Sequence, residues 1–346
     1  MNSSTFKLSS KVSENSRSVL VTGGAGYVGS ILLRELLSAG YHVICVDALK
    51  FGGQSLVDVW DHPSFSFAKV DITNFNAIDE ILNANELFAI VHLAAIVGDP
   101  ACKRKPDLAR KTNRDASIHL FEKAKSTDIE RFVFASTCSN YGKMPDAEGY
   151  VDEKSPLAPV SLYAELKVEF EKILLNREYG QDGFFPTSLR FATVYGMSPR
   201  MRFDLTINEF TKELALGNEL VVYGEQFWRP YCHVKDLSYA ILAVLQASPE
   251  KVAHNVFNVG DTSQNFTKQM IVDELLRQIP DGRVNYMHKE EDPRDYRVNF
   301  DKIHEVLGFK ITKTVPEGMN DILRAIQLEV IEEPNDRRYY NIAIEN

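Results

Sequence analysis

Two clusters of residues in this chain have the types and the spacing to do chemistry together. Near the N-terminus, Val19-Leu20-Val21-Thr22 runs directly into Gly23-Gly24-Ala25-Gly26-Tyr27-Val28-Gly29, an apolar stretch followed by a glycine-rich turn. Glycine lets the backbone approach a pyrophosphate, and a helix starting at Tyr27 offers it free N–H groups and a partial positive charge. Far downstream, Tyr163 and Lys167 stand four residues apart, which places both on one face of a helix. An isolated tyrosine titrates near pH 10. A neighbouring ammonium favours its phenolate, which can then take the proton of an alcohol. Thr137, at the end of an apolar run, can hydrogen-bond the same hydroxyl. A YxxxK spacing alone is usually a solvated helix face, and a lone GxGxxG is often only a turn. In this order along one chain they point to oxidation or reduction of a hydroxyl group with a bound dinucleotide.

Such residues need elements to position them. Short apolar runs predict strands over 18–22, 42–46, 65–70, 89–93 and 131–135, with helices over 27–39, 75–83, 107–126 and 161–179 between them. Ile31, Leu32, Leu36 and Leu37 read as the inner face of the first helix. Asp47 closes the second strand, where a carboxylate accepts from a ribose 2′-OH and repels a 2′-phosphate, so the expected cofactor is NAD rather than NADP. The competing reading of Asp47 is an ordinary turn-starting aspartate. Asp71-Ile72 and Leu93-Ala94-Ala95 end the third and fourth strands on the side where ligands bind, and the alanines leave room for one. The alternation predicts a Rossmann-like doubly wound α/β parallel sheet with right-handed crossovers. Past a strand at 187–191 the pattern loosens, with Pro199, Gly217, Gly224 and Pro230 breaking it up around a helix at 204–216. A helix at 233–246, a strand at 256–259 and helices at 267–278, 301–307 and 316–329 follow. We therefore expect a cofactor domain over 17–191 and 232–259 and a smaller, discontinuous substrate domain over 192–231 and 260–330. A disordered arm over 1–16 and a tail over 331–346 flank them.

With 346 residues the chain is long enough for one large or two fused domains. A net charge of −9 argues against a nucleic-acid partner, and the basic stretch Lys103-Arg104-Lys105 reads as a solvated face. No run approaches the roughly 18 apolar residues of a membrane span, and residues 1–16 have no apolar core that would make a signal peptide. Cys45, Cys102, Cys138 and Cys232 are widely spaced without CxxC pairing, so neither a metal site nor a disulfide framework is expected, and the setting is reducing and cytoplasmic.

On these motifs the sequence resembles the extended short-chain dehydrogenase/reductase family, the NAD-dependent epimerases and dehydratases of nucleotide sugars. The resemblance covers about residues 17–330. Thr22 to Gly29 resembles the family's cofactor turn, with Gly23, Gly26, Tyr27, Val28 and Gly29 at the dinucleotide. His92-Leu-Ala-Ala95 matches its fourth-strand motif, and Thr137, Tyr163 and Lys167 match its catalytic triad. Trp228-Arg229-Pro-Tyr-Cys-His-Val-Lys-Asp236 resembles the segment whose arginine holds the substrate diphosphate, and Asp292-Pro-Arg294 falls where many members carry a second one. The implied partner is a nucleotide-diphosphate sugar. Guanidinium groups suit its phosphates.

Departures from the pattern narrow the reaction. The family's 4,6-dehydratases follow the catalytic Thr with Asp-Glu, where this chain has Cys138-Ser139. UDP-galactose 4-epimerases carry an Asn in the segment where this chain has Thr193. Ala192 to Asp204, with Val97 to Arg104, looks more like the bacterial sugar-nucleotide 4-dehydrogenases such as those acting on GDP-heptose, in which case Arg200 or Arg202 reaches sugar or phosphate. The expected activity is oxidation at C4 of a nucleotide-diphosphate sugar, as a 4-epimerase or a 4-dehydrogenase. One alternative is a 4-keto-sugar reductase or epimerase–reductase resembling the GDP-fucose synthases, where a base cysteine stands at the position of Cys138. Another is a protein that only senses NAD. A homodimer or dimer of dimers is expected, with Ile118, Phe121, Phe170 and Leu174 pairing two helices across a two-fold axis, a mode the resemblance also implies.

Overall fold

The structure is a computed structural model that describes residues 17–144, 149–177, 183–290, 292 and 294–341. The arm expected over 1–16 lies outside the described residues. In chain order the first half comprises β1 (Ser18–Thr22), α1 (Tyr27–Ser38), β2 (His42–Asp47), β3 (Phe65–Lys69), α2 (Phe75–Ala84), β4 (Ala89–His92), α3 (Asp99–Arg104), α4 (Pro106–Arg110), α5 (Ala116–Lys125), β5 (Arg131–Thr137), α6 (Leu162–Leu175) and β6 (Phe185–Phe191). It continues with β7 (Thr193–Tyr195), α7 (Thr206–Ala215), β8 (Glu219–Tyr223), β9 (Trp228–His233), α8 (Val234–Gln246), α9 (Pro249–Val252), β10 (Asn255–Val259), β11 (Asn265–Thr267), α10 (Lys268–Gln278), β12 (Arg283–Met287), α11 (Asp301–Leu307) and α12 (Val315–Gln327).

Seven strands pair in parallel in the order β10-β6-β5-β4-β1-β2-β3. Their near-continuous apolar runs follow from burial on both faces. On one face Val19, Val21, Val43 and Val91 pack against Leu32, Leu36, Leu237 and Ile241 of α1 and α8. On the other, Leu20, Ile44, Ile90 and Phe132 pack against Ile78, Leu120, Phe121 and Phe170 of α2, α5 and α6. Strand order reverses between β1 and β4, and a doubly wound sheet opens its ligand crevice at the carboxyl ends there. On α1, Leu33 is buried and Ile31 only partly so, because Ile31 turns toward Tyr27 and Phe203 at the edge of the second unit.

The helical path expected over 107–126 is interrupted by a π turn at Lys111–Asp115, a distortion found disproportionately at functional sites. Of the residues read as a dimer surface on α5 and α6, Phe121, Phe170 and Leu174 are buried against the sheet in one cluster, while Ile118 packs on its margin and stays partly exposed.

The second unit holds more strand than its broken sequence pattern predicts. β11-β9-β7 form one small sheet and β12-β8 a parallel pair. Pro230, expected only as a breaker, lies inside β9. There it faces Asn265 of β11, and pairing with β7 begins one residue later at Tyr231, so its missing N–H interrupts neither ladder. Tyr195, Ile207, Phe210, Val222, Ile271 and Met319 form this unit's core. Within the stretch expected as a tail, residues 331–341 pack on the second unit, and 342–346 lie outside the described residues. Ile331 is buried, Phe203 N donates to Tyr339 O at 2.8 Å, and Lys212 Nζ donates to Asn335 Oδ1 at 2.9 Å and to the Tyr340 hydroxyl at 2.8 Å.

A buried ion pair ties α6 to the sheet. Arg190 Nε and Nη2 donate to Glu171 Oε1 at 3.0 and 2.5 Å, Ser188 Oγ donates to Glu171 Oε2 at 2.8 Å, and Arg190 Nη1 donates to the Tyr141 hydroxyl at 2.9 Å. Removing one partner of such a pair leaves an uncompensated buried charge. Arg190→Met should therefore lower unfolding stability by about 3–5 kcal/mol in chemical denaturation. The double variant Arg190→Met/Glu171→Gln should recover a large part of that loss. Equal stability of the single variant and the parent would show that the pair is not what anchors α6.

Candidate active site

At the head of β1 the chain turns so tightly that side chains are excluded. Gly23 has a φ of +75°, and a Cβ there would lie 2.8 Å from the Ala94 nitrogen. A Cβ on Gly29 would run into the Gly23 carbonyl oxygen. α1 starts at Tyr27 with Gly26 at its N-cap and no side-chain cap, so the amides of Tyr27, Val28 and Gly29 have no acceptor within the helix. That is a cradle for a phosphate. The Tyr27 ring is not part of it. Its hydroxyl donates to Gly196 O at 2.5 Å and accepts from Asn208 Nδ2 at 3.0 Å, which ties the turn to the second unit. Val28 packs between two apolar clusters, so for both residues only the backbone faces a ligand.

Asp47 Oδ2 accepts from Ala25 N at 3.0 Å and Oδ1 from Leu49 N at 2.8 Å. The carboxylate therefore makes the turn expected of an aspartate and also braces the glycine loop. Each oxygen keeps a second lone pair for a ribose hydroxyl. Burial pushes Asp47 above the usual carboxylate range, against the pull of those two amides and Lys50. Asp71 Oδ1 accepts from the amide and hydroxyl of Thr73, and its other oxygen pairs with Lys50 Nζ at 3.0 Å. Ile72 is buried beside it. Leu93 N donates to Thr22 O at 3.1 Å and Ala94 N to Thr22 Oγ1 at 3.3 Å, which holds Leu93, Ala94 and Ala95 beside the turn. A glycine cradle, a ribose carboxylate and a small-residue wall together fit a dinucleotide.

The proposed triad stands on β5 and α6. Ser161 caps α6 by accepting from Ala164 N at 3.3 Å. One turn further, Lys167 Nζ donates to Ala135 O at 2.7 Å and lies 5.9 Å from the centre of the Tyr163 ring. Ala135 lies two residues before Thr137 on β5, so this bond ties Lys167 to the strand that ends at Thr137. The Thr137 hydroxyl accepts from Ser139 N at 3.1 Å. Burial pushes the Tyr163 hydroxyl above its ordinary range, with Cys102 and Asp99 adding to it and Arg202 opposing. Burial also lowers the Lys167 ammonium to about 7.

The two arginines expected at a diphosphate are brought together by one carboxylate. Asp292 Oδ2 pairs with Arg229 Nη2 at 2.8 Å, and Asp292 Oδ1 accepts from Arg294 N at 2.9 Å. Arg229 Nη1 also donates to the Trp228 and Arg294 carbonyls. Arg294 Nη1 pairs with Asp99 Oδ2 at 2.9 Å, and Asp99 Oδ1 accepts from Ser161 Oγ at 2.6 Å. Asp99 thus joins the arginine pair to the cap of the catalytic helix. Arg202 is buried and doubly bonded to Asp204 at 2.9 and 2.8 Å, and its charge opposes the rise at Tyr163. Thr193, half-buried, opens β7 opposite Tyr231.

The sequence reading gave no role to three residues that the structure places here. Asn113, in the π turn, donates to Ile96 O at 2.9 Å and accepts from Ile96 N at 2.8 Å, fixing the loop after β4. Cys102 packs with Ile96, Leu162 and Tyr163. Asp99 is the third. Asp99 and Cys102 fall within the Val97 to Arg104 segment, whose partners lie far away in the chain, and Asn113 carried no sequence signal. Cys138, by contrast, does not line an open surface. It is fully buried, and its thiol donates to Arg190 O at 3.2 Å.

Residues 19–260 match the NAD dependent epimerase/dehydratase family. The chain is 30% identical to a dTDP-glucose 4,6-dehydratase of Streptomyces niveus over 315 residues, covering 87% of this chain and 90% of the relative. It is 28% identical to a UDP-glucose 4-epimerase of Lactobacillus helveticus over 313 residues, covering 84% and 91%. Its fold is similar to the crystal structure of a UDP-glucose 4-epimerase from Thermotoga maritima with UDP-glucose, with a TM-score of 0.79 and 25% identity over 90% of this chain and 99% of that one.

Lys167 makes a measurable signature. Its ammonium is lowered to about 7 in the folded chain, against roughly 10.4 when unfolded. Between those values the unfolded chain binds the extra proton, so this group's contribution to stability rises with pH across that window and is least favourable below about pH 7. Melting curves without nucleotide from pH 7 to pH 10 should show the wild type gaining on Lys167→Met as pH rises. Parallel curves would contradict the lowered lysine.

Proposed function

The chain belongs to the NAD dependent epimerase/dehydratase family, and we propose that it oxidises the C4 hydroxyl of a nucleotide-diphosphate sugar, as a 4-epimerase or a 4-dehydrogenase. NAD is the cofactor. The observation that carries this reading is the link through Asp99, which places the Arg229–Arg294 pair at the cap of the helix bearing Tyr163 and Lys167. A diphosphate held by the arginines sets its sugar over the tyrosine.

Bound NAD supplies the hydride acceptor, and its oxidised ring adds a positive charge that favours the Tyr163 phenolate. Tyr163 takes the proton of the C4 hydroxyl, and Thr137 donates or accepts at the same oxygen. Lys167, held on Ala135 O, steadies the phenolate when protonated. Arg229 and Arg294 exchange part of their carboxylate contacts for phosphate oxygens, and Arg202 lies on the sugar side. The resulting 4-ketosugar is either reduced again from its other face, which inverts C4, or released.

Two neighbouring reactions lose their support. Dehydration across C5 and C6 in this family draws on an Asp-Glu pair after the catalytic threonine, and this chain has Cys138 and Ser139 there. The epimerase–reductase alternative draws on a base cysteine at Cys138. Here that thiol is buried behind the strand, and burial pushes its titration well up.

The deciding experiment incubates the protein with UDP-, dTDP- and GDP-sugars while following NADH absorbance and product identity. NADH accumulating in step with an oxidised sugar marks a dehydrogenase, and a C4-inverted sugar without net NADH marks an epimerase. A product lighter by one water would overturn the proposal. Tyr163→Phe should lower kcat by about 10²–10⁴-fold, the usual contribution of a general base, while the Kd for NAD stays near that of the parent. Near-native kcat in the Phe variant would remove Tyr163 from the mechanism.

A further inference from the structure

Arg200 is a buried cation whose donors the described residues do not satisfy. It is 7% exposed, and its Nε and Nη2 have no hydrogen-bond partner among the described residues. Its guanidinium lies over the Phe51 ring at 4.3 Å. The cations nearby are engaged, Arg202 with Asp204 and Lys50 with Asp71. A buried donor left without an acceptor is costly, and more so when charged.

Its place in the fold names the missing acceptor. Two residues earlier, the Ser198 hydroxyl meets Tyr27 O at 2.7 Å and Ser30 Oγ at 3.0 Å, so this segment lies on the first turn of α1. Phe51 belongs to the loop leaving Asp47, and Ser55 of the same loop donates to Ala25 O at 2.8 Å. Arg200 therefore stands near the first turn of α1 and the loop after β2, where it lines a cleft of about 240 Å³ with Phe51, Ser55, Glu332, Arg338 and Tyr339. We infer that Arg200 binds a phosphate of the dinucleotide, as a positioning residue for the cofactor that the glycine turn alone does not supply. A planar guanidinium gripping phosphate through Nε and Nη2 is the geometry this side chain favours. Burial already lowers the free guanidinium to about 10, with Arg202 adding and Asp204 and Asp47 opposing, and a phosphate would restore it. The inference rests on the NAD cofactor and is independent of which sugar the enzyme turns over.

The test is calorimetric titration of NAD, ADP and adenosine into the wild type, Arg200→Met and Arg200→Lys, with melting temperatures measured without nucleotide. Met keeps an apolar stem of similar length and removes the guanidinium, with its charge, its donors and its stacking on Phe51. NAD and ADP should bind Arg200→Met about 10- to 100-fold more weakly, as expected for charge-assisted bonds, and adenosine should be unchanged. Arg200→Lys should recover part of the loss, and added salt should weaken ADP binding more steeply in the wild type than in Arg200→Met. The melting temperature of Arg200→Met should hold or rise, because an unpaired buried charge is gone. Unchanged ADP affinity would overturn the inference while leaving the proposed reaction untouched. So would a Met variant that melts lower or fails to fold, which would make Arg200 a structural residue.

Discussion

The position of α6 depends on one buried contact, the pair between Glu171 on the helix and Arg190 on β6, both nearly inaccessible to water. Two charges out of water are stable only when their remaining donors and acceptors are met. Ser188, Tyr141 and the Asn258 side chain, which accepts from Tyr141 at 2.7 Å, complete that set. The network spans α6, β6, β10 and the turn after β5. A slide or rotation of α6 along the sheet would strand a charge, so the network prescribes one register where apolar packing of Phe170 and Leu174 alone would tolerate several. Lys167 sits one turn away on the same helix, and its bond to Ala135 O is made in that register. The geometry of the proposed triad is thus tied to a structural ion pair.

The cofactor edge follows a different constraint, one of excluded volume. Gly23 and Ala94 approach so closely that β1 and β4 part with no side chain between them. Thr22 then uses its carbonyl for Leu93 N and its hydroxyl for Ala94 N and His92 Nδ1. His92 in turn meets Ser117 of α5 at 2.9 Å. Burial holds its pKa down to about 3, so this bridge between strand and helix stays uncharged through the working pH range. The ligand crevice is thus floored by groups whose hydrogen bonds do not change with protonation.

Much of this was legible in the sequence, because the signals were local. The central strands β1, β2 and β4 are near-continuous apolar runs, the glycine turn is contiguous, and Tyr163 and Lys167 are four apart. What escaped was non-local or weakly patterned. β12 is largely exposed along its length and β9 contains a proline, so neither shows the alternation of a half-buried strand. Tyr339 and Tyr340 are lone apolar groups among charges, and only the distant Phe203 and Lys212 make them part of the fold. Phe121 and Phe170 look like surplus apolar surface in a helix read alone. The sheet aromatics they meet edge-on, Phe132 and Phe134, show where they belong. Asp99 is the same case inside the site, since its two partners lie 62 and 195 residues away.

The distribution of charge in the cleft bears on how a diphosphate is recognised. Arg229, Arg294 and Arg202 each lie against a carboxylate, Asp292, Asp99 and Asp204 respectively. An arginine fixed in this way has already lost its rotamer freedom on folding, so less conformational entropy is lost when a ligand arrives. The same carboxylates oppose a dianion, so affinity becomes the difference between two sets of charge-assisted bonds. A ligand whose phosphates match both guanidinium groups is favoured over one that meets a single group. Because Asp99 also holds the cap of α6, the group that orients Arg294 orients the catalytic helix as well. In the proposed function, Asp99 thus couples recognition of the diphosphate to the cap of the helix that bears Tyr163.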